Sequence, residues 1–326
     1  MKLLNLPSQK QAISNERGGY FFLPAATSMN RAGMLRRSRL EWSEGETNEL
    51  RRKYQSCCDE LQQLLDEADQ QNKMAVTKEH APFIMSPTTI SDYLFGSPND
   101  AVPWTVQVPQ SYSTGGRLSG LPGLPPNPSV LPDELLLRCA PAFLIRHPAL
   151  AFPSYYRVVL SFCDGDMARM ENEMVPYAAI GCTLRWTRQL FDWYAAAWAA
   201  LGHEAKEPIV LEADDMIQDH AAVLRFCSLI GLDHKKVQFH WDPLTKEDQT
   251  GMDSASARTR ITLNSSEGIK KGKTFDGLTI EVEVEKWKAE FGEQIGTRIE
   301  GWVRAAMPDY TYLVGKKLRA NSASIV

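Results

Sequence analysis

The chain has 326 residues, of which 43% are hydrophobic and 23% charged, enough to bury a sizeable core and in keeping with a cytoplasmic globular protein. A net charge of -4 argues against a nucleic-acid-binding surface. Six scattered cysteines with no Cys-x-x-Cys spacing argue against zinc or redox chemistry, and no apolar run approaches the ~20 residues of a membrane helix.

Residues 1–18 read as disordered or as a truncated N-terminus. Met1–Leu6 is too short for a secretory signal. Glu46–Gln71 is a long helix, because Leu50, Tyr54, Cys57, Cys58, Leu61, Leu64 and Leu65 recur at three- and four-residue intervals. A short apolar run, Met74–Val76, then delivers Lys78 and His80, which in a strand share one face. A histidine beside a cation favours its neutral form, as a general base requires. A short helix around Thr89–Leu94 precedes a Pro/Gly-rich loop at residues 96–130. Leu121–Pro128 cannot form a helix or a central strand, so the loop is either disordered or a lid over a binding site.

Pro132–Cys139 is a short helix with acids in its first turn. Ala142–Ile145 reads as a buried strand with Arg146 at its carboxyl end, and His147-Pro148 turns the chain. A helix follows from Ala149, with Ser154 near its start. An arginine fork and a hydroxyl beside a helix N-terminus can grip a phosphate. Glu173–Leu201 is helical and aromatic, its stripe of Tyr177, Trp186, Phe191, Trp193, Tyr194 and Trp198 reading as core or as the lining of a pocket for a flat apolar ligand. Ile209–Met216 is a buried strand running into an acidic turn, and Asp219–Gly231 is a helix closed by glycine. The run Gly268–Lys273, with Lys271, Gly272 and Lys273, is a basic loop. Val284–Ala306 is the final helix, and residues 316–326 are a flexible tail.

Three of these segments together resemble the PAPS-dependent sulfotransferases, where PAPS is 3′-phosphoadenosine 5′-phosphosulfate. Arg146-x-Pro148 followed by Ser154-Tyr155-Tyr156 looks like their 3′-phosphate-binding segment. Thr77-Lys78-Glu79-His80-Ala81-Pro82 resembles their Lys-Thr-His-Leu-Pro element, and Glu212-Ala213-Asp214-Asp215 resembles their acidic turn. The run to Lys273, with Lys286-Trp287-Lys288, weakly resembles the basic loop that covers the nucleotide. Gly19–Pro24 resembles a segment of fungal sulfotransferase-like P-loop proteins, and the likeness spans residues 19–315. The family's opening strand, phosphate-binding loop and helix have no counterpart phrase here. Either the chain is truncated, or this branch has dispensed with that cradle.

Strands alternating with helices predict an α/β fold. The resemblance implies a helix-rich three-layer sandwich around a mainly parallel central sheet, as in P-loop NTPases and sulfotransferases, forming a single domain over residues 19–315 with its first strand–loop–helix missing. It also implies a sulfotransferase-like enzyme of fungal secondary, polyketide-type metabolism, moving a sulfuryl group from PAPS to a hydroxyl of a small aromatic acceptor. His80 would be the base and Lys78 the electrostatic stabiliser. Arg146, Ser154, Lys271, Gly272 and Lys273 would hold the nucleotide. No metal, nucleic acid or membrane partner is expected. The rival expectations are a biosynthetic enzyme doing other acid–base chemistry on the same scaffold, and a non-catalytic relative that has lost the donor site.

Overall fold

Ser43 opens the longest helix of the chain with a capping box: its hydroxyl accepts the Glu46 N–H, and the Glu46 carboxylate accepts the Ser43 N–H at 2.9 Å. The helix, α2 (Glu44–Gln70), buries Leu50, Tyr54, Cys57, Cys58, Leu61, Leu64 and Ala68 on one stripe. The structure is a computed structural model that describes residues 2–15, 19–96, 104–112, 123–203, 205–243, 264–270 and 272–319. It is a helix-rich α/β chain with short strands, and it divides into two compact units.

One unit comprises Gln11–Phe143 and Leu184–Ile209. Here β1 (Ala12–Ile13) pairs in parallel with β2 (Met74–Ala75), and α2 runs between them in sequence. Around them lie α1 (Leu23–Arg31), α3 (Ala81–Ile84), α4 (Pro87–Phe95), α5 (Asp133–Leu137) and α9 (Arg185–Ala200). The aromatic stripe is core here: Trp186, Phe191, Trp193, Tyr194 and Trp198 are buried, and the Tyr194 hydroxyl donates to the Leu136 carbonyl at 3.0 Å. Residues 97–103 and 113–122 of the Pro/Gly-rich loop lie outside the described residues.

The other unit comprises Met1–Lys10, Leu144–Thr183 and Val210–Val326. It holds α6 (Pro148–Phe162), α7 (Met167–Arg169), α8 (Val175–Gly181), α10 (Ala213–Gln218) and α11 (His220–Leu229). Its last two helices are α12 (Ile280–Phe291) and α13 (Glu293–Gly315). The sequence read these last two as one helix. Gly292, at φ 90°, breaks it, since that backbone angle leaves the helical region. Likewise the stretch from Glu173 to Leu201 is interrupted at Cys182–Leu184. β3 (Ala142–Ile145) pairs with β4 (Ile209–Glu212), and β3 is less buried than its apolar sequence predicts, with Leu144 60% exposed.

After α13 the chain stays tied down for several residues. Leu318 N–H donates to the Val210 carbonyl at 2.8 Å and Lys317 pairs with Asp215 at 2.8 Å. Among the described residues no helix is long and apolar enough to cross a membrane.

Candidate functional site

Lys78 and His80 do not stand on a strand. β2 ends at Ala75, and both residues lie in the extended connection that leads into α3, where His80 is the N-cap. What fixes them is a backbone clasp with the segment around Gly19. Lys78 N–H donates to the Gly19 carbonyl at 3.1 Å, and Gly19 holds φ at 98°. A Cβ on Gly19 would meet Lys78 N at 2.6 Å, so only glycine permits this approach. Two residues on, the Glu79 carboxylate accepts the N–H groups of Phe21 and Phe22, the latter at 3.0 Å, just ahead of α1.

The clasp carries Tyr20 onto both predicted residues. Its hydroxyl lies 3.0 Å from Nε2 of His80, and the two rings stack 25° from parallel. The Lys78 ammonium stands 4.9 Å above the Tyr20 ring centroid. Phe83 meets the His80 ring edge-on at 5.0 Å. Although His80 presents surface to solvent, the groups crowding its ring hold its pKa down to about 4, chiefly by desolvation and then by the Lys78 charge. Glu79 moves the other way. Burial pushes its carboxyl up to about 7, against the pull of its two backbone bonds and of Lys78. Its Oε2 is buried with no hydrogen-bond partner among the described residues, as is the hydroxyl of Tyr54.

The second cluster lies in the other unit, at the carboxyl end of β3. Arg146 donates from Nη2 to the Lys273 carbonyl at 2.9 Å, so the arginine reaches the basic loop 127 residues away. Its Nε is buried without a partner among the described residues, a donor still open to an anion. Gly272 sits at φ 80°, and the space a side chain there would take is empty. Lys271 lies outside the described residues. Ser154 is exposed in the second turn of α6, because that helix starts at Pro148; it is therefore not at the helix N-terminus.

His147 organises the turn between Arg146 and α6. Its Nδ1 accepts the Ala149 N–H at 3.2 Å, capping the helix and assigning the proton of the neutral ring to Nε2. Burial holds its pKa down to about 4. Phe275 lies over this ring, Tyr310 meets it at 4.9 Å, and Tyr310 also reaches Glu212 at 3.3 Å. Glu212 caps α10 through the N–H groups of Asp214 and Asp215, while Asp214 accepts the Phe275 N–H at 2.7 Å. The acidic turn is thus the anchor of the basic loop. Among the described residues no cluster of His, Cys, Asp and Glu has the grouping of a metal site.

Spacing points to Lys78, His80, Arg146 and the loop, but it assigns no chemical role to Tyr20, Glu79, His147 or Phe275. For Tyr20 there was one signal, a glycine directly before an aromatic residue in the phrase Gly19–Pro24. For Phe275 there was none.

Compared with known proteins, the chain is 37% identical over 327 residues to a protein named Sulfotransferase ppzF from Metarhizium rileyi (strain RCEF 4871), covering 98% of this chain and 92% of that protein. It is 37% identical over 329 residues to the protein of the same name from Metarhizium majus (strain ARSEF 297), covering 98% and 93%. No family model matches the chain. No solved structure matches it.

Proposed function

The chain belongs to the fungal sulfotransferase family of these two relatives, and we propose that it moves the sulfuryl group of PAPS to a hydroxyl of a small aromatic acceptor in secondary metabolism. The observation that carries this reading is Arg146. It ends a strand, holds the carbonyl of Lys273 in a basic glycine loop, and keeps a buried guanidinium N–H without a partner among the described residues. A nucleotide phosphate supplies the acceptor oxygens that such an orphan donor lacks. Gly272, with open space at its Cα, lets backbone approach that phosphate closely.

PAPS, when bound, supplies the electrophilic sulfur and the phosphate leaving group. The chain's own residues do the rest. Arg146, Gly272 and Lys273, with Lys271 and Ser154, hold the nucleotide's 3′-phosphate. Lys78 provides positive charge near the acceptor oxygen, and His80 is the base that ends with its proton. The low pKa of His80 keeps its ring neutral and able to receive that proton near neutral pH.

Titration calorimetry with 3′-phosphoadenosine 5′-phosphate tests the reading. Micromolar binding is expected, and Arg146→Ala should weaken it by about 1.5–3 kcal/mol, the usual worth of a charge-assisted bond. Equal affinity in the two proteins overturns the assignment of Arg146. Absence of nucleotide binding in both favours acid–base chemistry at His80 without sulfuryl transfer.

A further inference from the structure

Nε2 of His80 is not free to take an acceptor's proton directly in this geometry. A neutral imidazole has one nitrogen with a free lone pair, and the other carries the proton. Nε2, the nitrogen facing the aromatic cluster, is already engaged by the Tyr20 hydroxyl at 3.0 Å. Nor is Tyr20 placed to step aside. The residue before it is locked to the Lys78 backbone by a hydrogen bond and by a contact that tolerates no Cβ. The two residues after it are held by Glu79. Tyr20 stacks on His80 on one side and lies under the Lys78 ammonium.

We propose that Tyr20 is a catalytic residue of this site, its phenol oxygen meeting the acceptor hydroxyl and passing a proton on to His80. The proposal rests on the sulfotransferase reading above. A phenol that donates to Nε2 keeps two lone pairs with which to accept another hydroxyl. As the acceptor's O–H bond breaks, a new O–H bond forms at Tyr20, and the phenol's original proton passes to Nε2. One O–H and one N–H bond form for the two O–H bonds broken. The electron pair stays on the acceptor oxygen, which becomes the nucleophile, and the positive charge ends on the imidazolium. Lys78, over the ring, stabilises negative charge passing through the phenol. Glu79 is the remaining ionisable group of the clasp, and its carboxylate is turned toward the backbone of Phe21 and Phe22 rather than toward the relay.

The alternative is that Tyr20 only orients the ring: Nε2–H would donate to the phenol oxygen, and Nδ1 would be the base. The histidine tautomer separates the two. Nitrogen NMR of the full chain with labelled histidine, near neutral pH and with His80 assigned through His80→Gln, should show Nδ1 protonated and Nε2 bare. Tyr20→Phe should then shift the Nε2 resonance. A protonated Nε2 overturns the proposal, and this arm requires no acceptor or nucleotide. The second arm is sulfuryl transfer from PAPS to 2-naphthol, a phenol that stays protonated near neutral pH and so needs a base. Tyr20→Phe and His80→Gln should each lower the rate by about 100-fold or more, and the double variant should lose no more than either alone. Losses that multiply would make the two residues independent and would sink the relay. Failure of the sulfotransferase reading appears separately, as absence of nucleotide binding.

Discussion

His147 lies flat against Phe275, with ring centroids 3.4 Å apart and planes 6° from parallel. The stack couples two segments with separate tasks. His147 directly follows Arg146 and caps α6, while Phe275 lies two residues beyond the Lys273 carbonyl that Arg146 holds. The loop is therefore positioned by an aromatic contact, by the arginine, and by the Asp214 carboxylate on the Phe275 N–H.

Phe275→Ala removes the stack and leaves the other two ties. An aromatic pair is worth about 0.5–1.5 kcal/mol beyond its burial. Affinity for 3′-phosphoadenosine 5′-phosphate should fall about five- to tenfold by calorimetry, an energy of about 1 kcal/mol. Unchanged affinity would mean that Arg146 and Asp214 alone position the loop.

Arg146→Lys separates charge from geometry at the same place. Lysine keeps the positive charge but has no planar fork, so it cannot hold the Lys273 carbonyl and a phosphate oxygen together in fixed directions. Binding should be weakened nearly as much as in Arg146→Ala, by about tenfold or more. Recovery of wild-type affinity in the lysine variant would show that only net charge matters.

Glu79 gives stability a pH dependence whose sign can be worked out. Its carboxyl titrates near 7 in the folded protein against an ordinary value of 4.5, with burial as the main cause. Between those values the folded state holds a proton that the unfolded state has released. The stabilisation is complete below 4.5 and is lost as pH rises through 7, by about 3 kcal/mol in all at ~1.4 kcal/mol per unit. His147 acts in the opposite sense: its pKa, held near 4 by burial, makes its contribution full above 6.5 and lost as pH falls toward 4. Glu79→Gln keeps an oxygen for Phe21 and Phe22 and removes the titration. Because His147 and His80 gain stability over much of the same window, the Glu79 contribution is read as a difference: relative to wild type, Glu79→Gln should gain in melting temperature as pH rises from about 5 to about 7. A difference between the two proteins that does not change with pH would place the titrating group elsewhere.

Periodicity made the helices legible. The stripe in Glu44–Gln70 and the Arg146 strand end were readable because burial repeats with the turn of the helix and because proline constrains the residue before it. The break at Gly292 escaped, since Trp287, Phe291, Ile295 and Ile299 keep helical spacing across it and are all buried. The site was legible only in part. Lys78 and His80 announce themselves by spacing, yet the Tyr20 that joins them lies about sixty residues earlier in sequence, held by a backbone clasp with no periodic signature. The same holds for His147 and Phe275. Local pattern reports which residues could do chemistry, and long-range packing decides which of them meet.

Gly181 tests how tightly the α6 segment is set. It has no unusual backbone angle, but a Cβ there would lie 2.2 Å from Cε1 and 2.6 Å from Cζ of Tyr155. Tyr155 has little room to move, since its hydroxyl also bonds Tyr177. Tyr155 adjoins Ser154 on the helix that starts just after Arg146, so a displaced ring would tilt the element that His147 caps. Overpacking of this kind costs about 1–3 kcal/mol. Gly181→Ala should lower the denaturation midpoint by an amount in that range, and Gly181→Ala with Tyr155→Leu should recover part of it, because the smaller side chain vacates the contested space. Such non-additivity is expected of residues in direct contact. Additive losses in the double variant would mean that the ring yields easily and that the tight fit of α6 against Gly181 does not set the position of the helix.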